Sequence, residues 1–420
     1  MASVTSTREA AHLSPSIHSA SGELLSLALM DARNHTLALL GHHHDAIAAQ
    51  GLQVPQAEGF ELPHWLAGHV GWFAEWWIAR NPRRGQGVHC PADVPRLPSV
   101  EPLADRWYHP LQAPRAARRD LALPDAQEVR GYLLQTLEQT LELLETAGTG
   151  EDGLYFFRAA LFHEDLRAEQ LVAQAQAMGI ALPLRLPGPA PAREPIALPA
   201  TRWTLGAMPA QFARDVECGA QDEAIPEFEI DAQPVQWAQY VEFVDDGGYD
   251  REELWQPEGW RWLQATAAAE GRRGPRHVEQ IGVASGAVMQ SLFGRATRMP
   301  AQQGVMHVSW WEADAYARWA GRRLPTEVEW EIAAHQAASR GFRWGDVWEW
   351  TAGTVRPWPG FRAAPWTSHS DLEAEPLFGR ARVLRGASFA TSARMRHPRR
   401  RAFALPENDR PFVGLRTCAV

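Results

Sequence analysis

Two histidines on separate predicted helices are the residues whose types and spacing best suit metal chemistry. His69 lies in PHWLAGHVGWFAEWW, and His163 lies in FRAALFHEDLRAEQL. Two neutral imidazoles and one further ligand, with open positions left over, suit Fe(II) chemistry with O₂. A lone histidine on a helix can equally be an ordinary core or surface residue, and no HxxxH pair strengthens the metal interpretation. The spacing alone leaves both interpretations open.

Four helices are predicted in the first half of the chain, and they would have to bring these histidines together. Apolar residues recur at helical spacing over 24–40, 64–79, 127–146 and 155–178. Four helices of this length predict an up-down bundle, a fold that can hold a metal between facing helices. We therefore predict a helical N-terminal domain over residues 1–182.

A proline-rich stretch separates two halves of different texture. Six prolines lie between Pro183 and Pro199, a density that blocks helix and favours an extended linker. Beyond it, short apolar segments alternate with Gly, Pro and Trp, which predicts an α+β domain with little regular structure. Two helices are predicted there, over 234–244 and 312–320, and Thr326 is predicted to cap a further short one. The predicted boundaries are 183–200 for the linker and 201–420 for the second domain.

The composition and net charge of the chain argue against several classes of protein. The chain has 420 residues and a net charge of −9, which argues against a general nucleic-acid partner. It has three cysteines far apart, no signal-peptide pattern and no apolar run long enough to span a membrane. We therefore expect a cytoplasmic protein. The sequence leaves the oligomeric state open.

The first half resembles the DinB-like domain of the ergothioneine-type sulfoxide synthases. AGHVGWFAEWW is similar to that family's A-H-x-x-W-F-F-E segment, whose histidine binds iron, and this implies that His69 is an iron ligand. HEDLRAE occupies the place of the family's H-x-x-x-H-x-E, which points to His163 and Glu169. The resemblance implies Fe(II) as the cofactor.

The second half resembles the formylglycine-generating-enzyme fold, which is C-type-lectin-like. The matching stretches are FEIDAQPVQWAQYVEFVDDGGYDREELW, HVSWWEADAYARWAGRRLPTEVEWE, GDVWEWTAG, LRGASFAT and PFVGLRTC. Together they cover most of residues 225–420. This pairing of domains implies a synthase that works on the imidazole ring of hercynine, which is trimethylhistidine.

One departure from the family concerns the metal. The second histidine of the H-x-x-x-H-x-E segment is Arg167 here, and arginine is permanently charged and cannot ligate iron. Either the third ligand comes from elsewhere or water fills the position. The candidate elsewhere is the cluster at 42–44 that follows the first helix, and His43 is the residue we select from it.

Further departures concern oxygen handling and the donor. The family has tyrosines after a Y-P-G-F-like segment, whereas RPWPGFRAAPWTSHS offers Trp366 and His369, which we predict to be catalytic. A C-terminal Asn-Trp-Asp of some members reads Ala-Phe-Ala at 402–404. The departures favour a branch of the family, the selenoneine synthases, which join selenium from a selenosugar to hercynine. One alternative is a sulfoxide synthase that uses cysteine or γ-glutamylcysteine, and another is a non-catalytic binding module.

Five residues are predicted to bind substrates. Aromatic faces hold a trimethylammonium group, and Trp348, Trp350 and Phe403 are the candidates. Arg118 and Arg119 lie where the family binds the carboxylates of γ-glutamylcysteine. Core packing is the alternative role for the aromatic residues, and a solvated surface position is the alternative for the arginines.

Overall fold

The computed structural model of the chain describes residues 18–57, 59–207, 212–219, 221–282, 286–368 and 370–420. Within these ranges, the first part of the chain is helical. Its helices are α1 (Gly22–Gln50), α2 (Pro63–Ala74), the short α3 (Ala104–Tyr108), α4 (Ala126–Glu145) and α5 (Glu151–Met178). The four predicted helices are confirmed, with α1 ten residues longer at its C-terminal end. Helix α2 continues into a π-helical turn, Glu75–Ala79.

Local chemistry sets the ends of these helices. A capping box starts α4, because the Asp125 side chain accepts from the first-turn backbone and Glu128 reaches back to the Asp125 N–H. Helices α1 and α5 end at glycines with positive φ, at Gly51 and Gly179. Helices α1 and α2 each pack against both α4 and α5. The first part of the chain is therefore a packed group of four long helices.

The second part of the chain is built from short strands and loops. The strands are β1 (Ile196–Leu198), β2 (Thr201–Leu205), β3 (Gln221–Ile225), β4 (Phe228–Ile230), β5 (Val278–Gly282), β6 (Ala287–Leu292), β7 (Arg295–Met299), β8 (Trp348–Thr354), β9 (Arg382–Gly386), β10 (Arg401–Ala404) and β11 (Val413–Leu415). The largest sheet has the order β10-β9-β8-β11, with β11 parallel to β8 and the other pairs antiparallel. The rest form a three-stranded sheet, β5-β6-β7, and two ribbons, β1-β4 and β2-β3.

Four helices cover these sheets: α6 (Trp237–Asp245), α7 (Pro257–Glu270), α8 (Trp310–Trp319) and α9 (Glu327–Gln336). Helices α6 and α8 confirm the two predicted ones. The predicted cap at Thr326 is confirmed, since its hydroxyl accepts from the Glu329 N–H. Helix α7 was not predicted, because its mixed polar and apolar residues bury little more than Gly259 and Leu263.

The end of the proline-rich stretch belongs to the second part of the chain. Strand β1 lies inside the predicted linker and pairs with β4, with Ile196 opposite Ile230 and Leu198 opposite Phe228. Because the prolines around it indicate an extended linker, a prediction from sequence pattern does not detect a strand of only three residues. In the described ranges, no helix combines the length and the apolar character needed to cross a membrane.

Helix α5 connects the two parts of the chain. The Glu169 carboxylate accepts hydrogen bonds from Trp348 Nε1 at 2.7 Å, Ser388 Oγ at 3.0 Å and Thr391 Oγ1 at 2.8 Å. One turn earlier, Asp165 forms a two-pronged ion pair with Arg394. These bonds hold α5 against the sheet-containing part. They therefore fix the position of α5 relative to the second part on either side of any cavity between them.

Candidate active site

A cavity of about 260 Å³ lies between the helical part and the segment 365–372 of the second part. Helix α2 contributes His69, helix α5 contributes His163, and the segment contributes Trp366 and Asp371. Ring faces and edges of Trp72, Phe73, Trp76, Trp77 and His109 complete most of the wall. The cavity is therefore largely aromatic, with a small cluster of polar groups.

His69 is held so that one ring nitrogen remains available. Its Nδ1–H donates to the backbone carbonyl of Tyr108 at 2.9 Å, which leaves the lone pair on Nε2. The ring is stacked between Trp65 and Trp72, with centroid distances of 4.8 and 5.4 Å. Gly68 permits the approach of Tyr108, because a Cβ there would collide with the Tyr108 ring. A backbone carbonyl that fixes the tautomer is the usual support of a metal-binding histidine.

His163 faces His69 across the cavity. The two ring centroids are 5.0 Å apart with the planes at 70°, and the His163 ring stacks on Phe73 at 3.9 Å. Its Nε2 accepts a hydrogen bond from Arg167 Nε at 3.2 Å. Its Nδ1 is buried and has no partner among the described residues. The predicted meeting of His69 and His163 is thus present in the structure.

Burial keeps both imidazoles neutral. It lowers the pKa of His69 to about 3, and the nearby Arg167 guanidinium acts in the same direction. Burial, followed by Arg167 and His69, also lowers the pKa of His163 well below its ordinary value. Because only neutral imidazole has a lone pair to offer, both residues are in the form that binds metals at neutral pH.

Asp371 lines the cavity, and Arg167, which is not one of the lining residues, bonds to both Asp371 and His163. Arg167 Nη2 donates to Asp371 Oδ1 at 2.5 Å, and its Nη1 donates to Gln170 Oε1 at 3.0 Å. Burial would raise the pKa of Asp371, but the Arg167 and His69 interactions outweigh it and lower the pKa to about 2. Asp371 is therefore ionised. Sequence reasoning missed it, and the only available signal was its place just after the segment that contains Trp366.

The donor types in the cavity match those of Fe(II) sites. In the part of the chain that the structure describes, no three His, Cys, Asp or Glu side chains stand close enough together to enclose a metal ion. The Arg167 guanidinium lies between His163 and Asp371, which accounts for their separation. Two imidazoles and a carboxylate are nevertheless a characteristic donor set for non-haem Fe(II) that reacts with O₂. The residue types in the cavity are therefore those of an Fe(II) site, but Arg167 lies between the carboxylate and His163.

His43 does not line this cavity. Its Nε2 bonds to the Leu171 carbonyl oxygen at 3.0 Å, two turns of α5 beyond His163, and the side chain is buried. Burial lowers its pKa, so it is a neutral, structurally engaged histidine. The structure does not bring the predicted third ligand to the other two.

Trp366, one of the two residues predicted to be catalytic, lines the cavity. Its indole Nε1–H donates to the Tyr155 hydroxyl at 3.0 Å, and its ring meets Phe73 edge-on at 6.0 Å. Tyr155 belongs to α5, so this bond also joins the two parts of the chain. His369, the other predicted catalytic residue, lies outside the described residues.

The three aromatic residues predicted to hold the substrate cation lie elsewhere. Trp348 donates to Glu169 and its ring faces the Arg400 guanidinium at 4.7 Å. Trp350 is 0% exposed and donates to the Val308 carbonyl. Phe403 packs in a separate small cluster of apolar side chains. The aromatic wall of the cavity comes instead from α2 and its π-helical turn, where Trp72, Phe73, Trp76 and Trp77 appear in the sequence as helix-face residues.

Arg118 and Arg119 are engaged by the protein itself. Arg118 Nη1 donates to Glu61 at 2.7 Å, and its guanidinium lies 3.5 Å from the centroid of Trp65. Arg119 donates to the backbone carbonyls of Val54 and Pro55. Neither side chain lines the cavity, and both hold the loop that precedes α2.

The free energy of unfolding is expected to fall less on acidification in the variant His69→Gln than in wild type. Between pH 6.5 and about 3 the unfolded state binds a proton at His69 that the folded state does not, so the free energy of unfolding falls with falling pH. At pH 5 this amounts to about 2 kcal/mol. Urea unfolding with a metal chelator should show a pH 7 to pH 5 difference smaller by that amount in H69Q. H89Q, at an exposed site, should match wild type, and equal differences in H69Q and wild type would contradict the prediction.

Comparison with known proteins supplies the evolutionary context. Residues 187–346 match the Sulfatase-modifying factor enzyme 1-like domain family, which confirms the predicted likeness of the second half. The chain is 30% identical to the hercynine oxygenase of Mycobacterium tuberculosis, over 94% of this chain and 98% of that protein. It is 29% identical to the hercynine oxygenase of Mycolicibacterium smegmatis, over 84% and 89%. The formylglycine-generating enzyme of Bos taurus is 31% identical but covers 39% of this chain. The coverage of this chain by the two hercynine oxygenases is high enough that their similarity includes the helical part.

Proposed function

The chain belongs to the hercynine oxygenase family, and from this premise we propose that it is an O₂-dependent oxidoreductase that forms a bond to the imidazole ring of hercynine. The proposal includes non-haem Fe(II) as cofactor and a selenosugar as donor, so that the bond formed is C–Se. We also propose that residues 1–182 are a DinB-like domain and 201–420 a formylglycine-generating-enzyme-like domain, joined by the proline-rich stretch.

One observation carries the proposal: the neutral imidazoles of His69 and His163 face each other in a largely aromatic cavity between the two parts of the chain. A cavity at such a junction is a common place for a small-molecule site. When bound, Fe(II) would supply the reaction with O₂, and His69 and His163 would hold it. Arg167 beside them is paired with Asp371, so it adds little net charge to the same space.

The aromatic wall is suited to the substrate. Hercynine has a fixed trimethylammonium charge, which aromatic faces stabilise by about 0.5–2 kcal/mol per contact. Trp72, Trp76 and Trp77 lie on the wall formed by α2 and its π-helical turn, and Asp93 adds a carboxylate to the lining. A cation held there would place the imidazole ring of the substrate in the same cavity as His69 and His163. The buried ring of Trp366, which lines the same cavity, would help to keep water from the reacting atoms.

The choice of a selenosugar over γ-glutamylcysteine rests on where the arginines are. A donor with two carboxylates needs unpaired cations near the site. Arg118 and Arg119 are bound to Glu61 and to backbone carbonyls, and Arg167 is bound to Asp371. A sugar donor needs hydrogen-bonding groups rather than a carboxylate clamp, and Ser368 and Ser370 lie in the cavity wall.

The test compares donors directly. Protein purified without oxygen and loaded with Fe(II) is mixed with hercynine, O₂ and either the selenosugar, cysteine or γ-glutamylcysteine, and product masses are measured. We expect a selenium-containing hercynine adduct with the selenosugar and little product with the two thiols. Matched samples without O₂, or with iron removed by a chelator, should form none. Sulfur adducts alone would overturn the selenium assignment, and hercynine binding without turnover by any donor would overturn the enzymatic one.

A further inference from the structure

We infer that Asp371 recognises the imidazole ring of the substrate, because the carboxylate oxygen that Arg167 leaves free accepts a hydrogen bond from the ring N–H. The inference rests on the part of the proposed function that concerns hercynine, and it requires no metal. Asp371 lies in the second part of the chain, 204 positions from Arg167 on α5. Recognition of the ring would therefore need both parts of the chain.

The Asp371 carboxylate has one engaged oxygen and one available oxygen. Arg167 Nη2 donates to Oδ1 at 2.5 Å, while Oδ2 accepts no hydrogen bond from the described residues. The side chain is 33% exposed and lines the cavity together with His69 and His163, so a small molecule in the cavity can reach it. A carboxylate has several lone pairs, and one donor leaves most of them unused. Asp371 therefore presents a hydrogen-bond acceptor to the cavity.

Bonds on two sides fix the position of this acceptor. The Arg167 guanidinium that holds the carboxylate also donates to His163 Nε2 at 3.2 Å. On the backbone side, Ser370 Oγ donates to the Thr367 carbonyl at 2.8 Å and accepts from the Leu372 N–H at 3.1 Å. Because the carboxylate is already held in place, binding of a ligand would need little further ordering of the protein.

The Asp371 carboxylate is ionised, and its charge is already balanced. Burial would raise its pKa, but Arg167 and His69 outweigh burial and lower the pKa to about 2. Because Arg167 balances the charge, Asp371 attracts a trimethylammonium group only weakly. A trimethylammonium group also has no N–H to donate, whereas the neutral imidazole ring has one. The hydrogen bond therefore selects the ring end of hercynine.

The other acceptors of the cavity wall are less suited to this bond. Asp93 is exposed, so water competes for its carboxylate. His109 Nδ1 already accepts from the Leu111 N–H at 3.2 Å. Asp371 is ionised and, through Arg167, is joined to one of the two facing histidines. A ring bound in the deep part of the cavity would therefore meet Asp371 first.

A ring held in this way is oriented for reaction at the carbon between its two nitrogens. The bond fixes one tautomer, so the other ring nitrogen keeps its lone pair. It also fixes the direction in which the carbon faces, which is part of the advantage of proximity. The carboxylate stabilises positive charge that gathers on the ring as a new bond to this carbon forms. The N–H proton stays on the ring, so Asp371 acts by recognition and orientation.

The test compares two ligands that differ in one methyl group. Calorimetry measures binding of hercynine, and of hercynine methylated at one ring nitrogen, to the full chain without donor or O₂. At about pH 8 both rings are neutral, and the methylated ring has no N–H. We expect wild type to prefer hercynine by at least about tenfold, as expected for a hydrogen bond to a charged group.

The same comparison is made with Fe(II) and with a chelator, and the preference should appear in both. A preference seen with Fe(II) alone would trace it to the metal and overturn the inference, as would equal affinities under both conditions. Failure of wild type to bind hercynine at all would instead overturn the proposed function.

Asp371→Asn separates the hydrogen bond from the bulk of the methyl group. Arg167 would take the amide oxygen, so the NH₂ group would face the cavity in place of an acceptor. Both ligands have a ring nitrogen with a lone pair for this NH₂ group, so the preference for hercynine should disappear. Asp93→Asn should keep the wild-type preference, because both ligands have the same trimethylammonium group. A wild-type preference in D371N that thermal unfolding shows to be folded would overturn the inference.

Discussion

His163→Gln is expected to lower the rate of product formation by about 1,000-fold, equivalent to about 4 kcal/mol of transition-state stabilisation. The substitution removes an imidazole that is buried, neutral and 5.0 Å from the ring of His69. Glutamine keeps polarity and approximate length but is a poor ligand for Fe(II), so the iron content should fall together with the rate. Single-turnover assays with Fe(II)-loaded protein, paired with metal analysis of the same samples, measure both quantities.

The matched control is His109→Gln. His109 lines the same cavity, and its ring packs edge-on against Trp72 and Trp76 at 5.2 and 5.0 Å. It lies outside the proposed ligand set, so H109Q should retain one iron and change the rate far less than H163Q. Circular dichroism of both variants tests whether they fold. Full turnover in folded H163Q would show that His163 does not serve the reaction.

Glu349→Gln is expected to lower the free energy of unfolding by about 3–5 kcal/mol, the largest stability effect we predict. Glu349 and Arg416 are both 0% exposed and form an ion pair through both guanidinium nitrogens that face the carboxylate. Trp330 Nε1 also donates to Glu349, at 2.8 Å. Glutamine keeps the shape but leaves the Arg416 charge buried without its counter-charge. Urea unfolding at neutral pH measures the loss.

Glu258→Gln is the control for this stability prediction. Glu258 pairs with Arg261 at 3.3 Å on the surface of α7, with side-chain exposures of 59% and 73%. Water and salt screen such a pair, so its loss should cost about 0–1 kcal/mol. The contrast isolates burial as the cause. A cost below 1 kcal/mol for E349Q would mean that the buried pair adds little, because desolvation already cancels its attraction.

The sequence by itself determined the elements of the site that are local. Helical periodicity placed α2 and α5, and the resemblance of their motifs selected His69 and His163 from sixteen histidines. The same motif showed that Arg167 stands where the family has a second histidine. These features depend on residues close together in the chain, whose spacing alone decides that they share a helix face.

Only the tertiary structure decided which distant residues join them. Asp371 pairs with Arg167, which is 204 positions away in the sequence. Trp348 donates to Glu169, 179 positions away, and Arg118 donates to Glu61, 57 positions away. Trp348, Trp350 and Phe403 have the residue types of a cation site, but packing places them away from the cavity, whose aromatic wall includes Trp72, Trp76 and Trp77. Spacing in the sequence cannot supply this information, because burial and pairing between distant segments arise when the two parts of the chain dock.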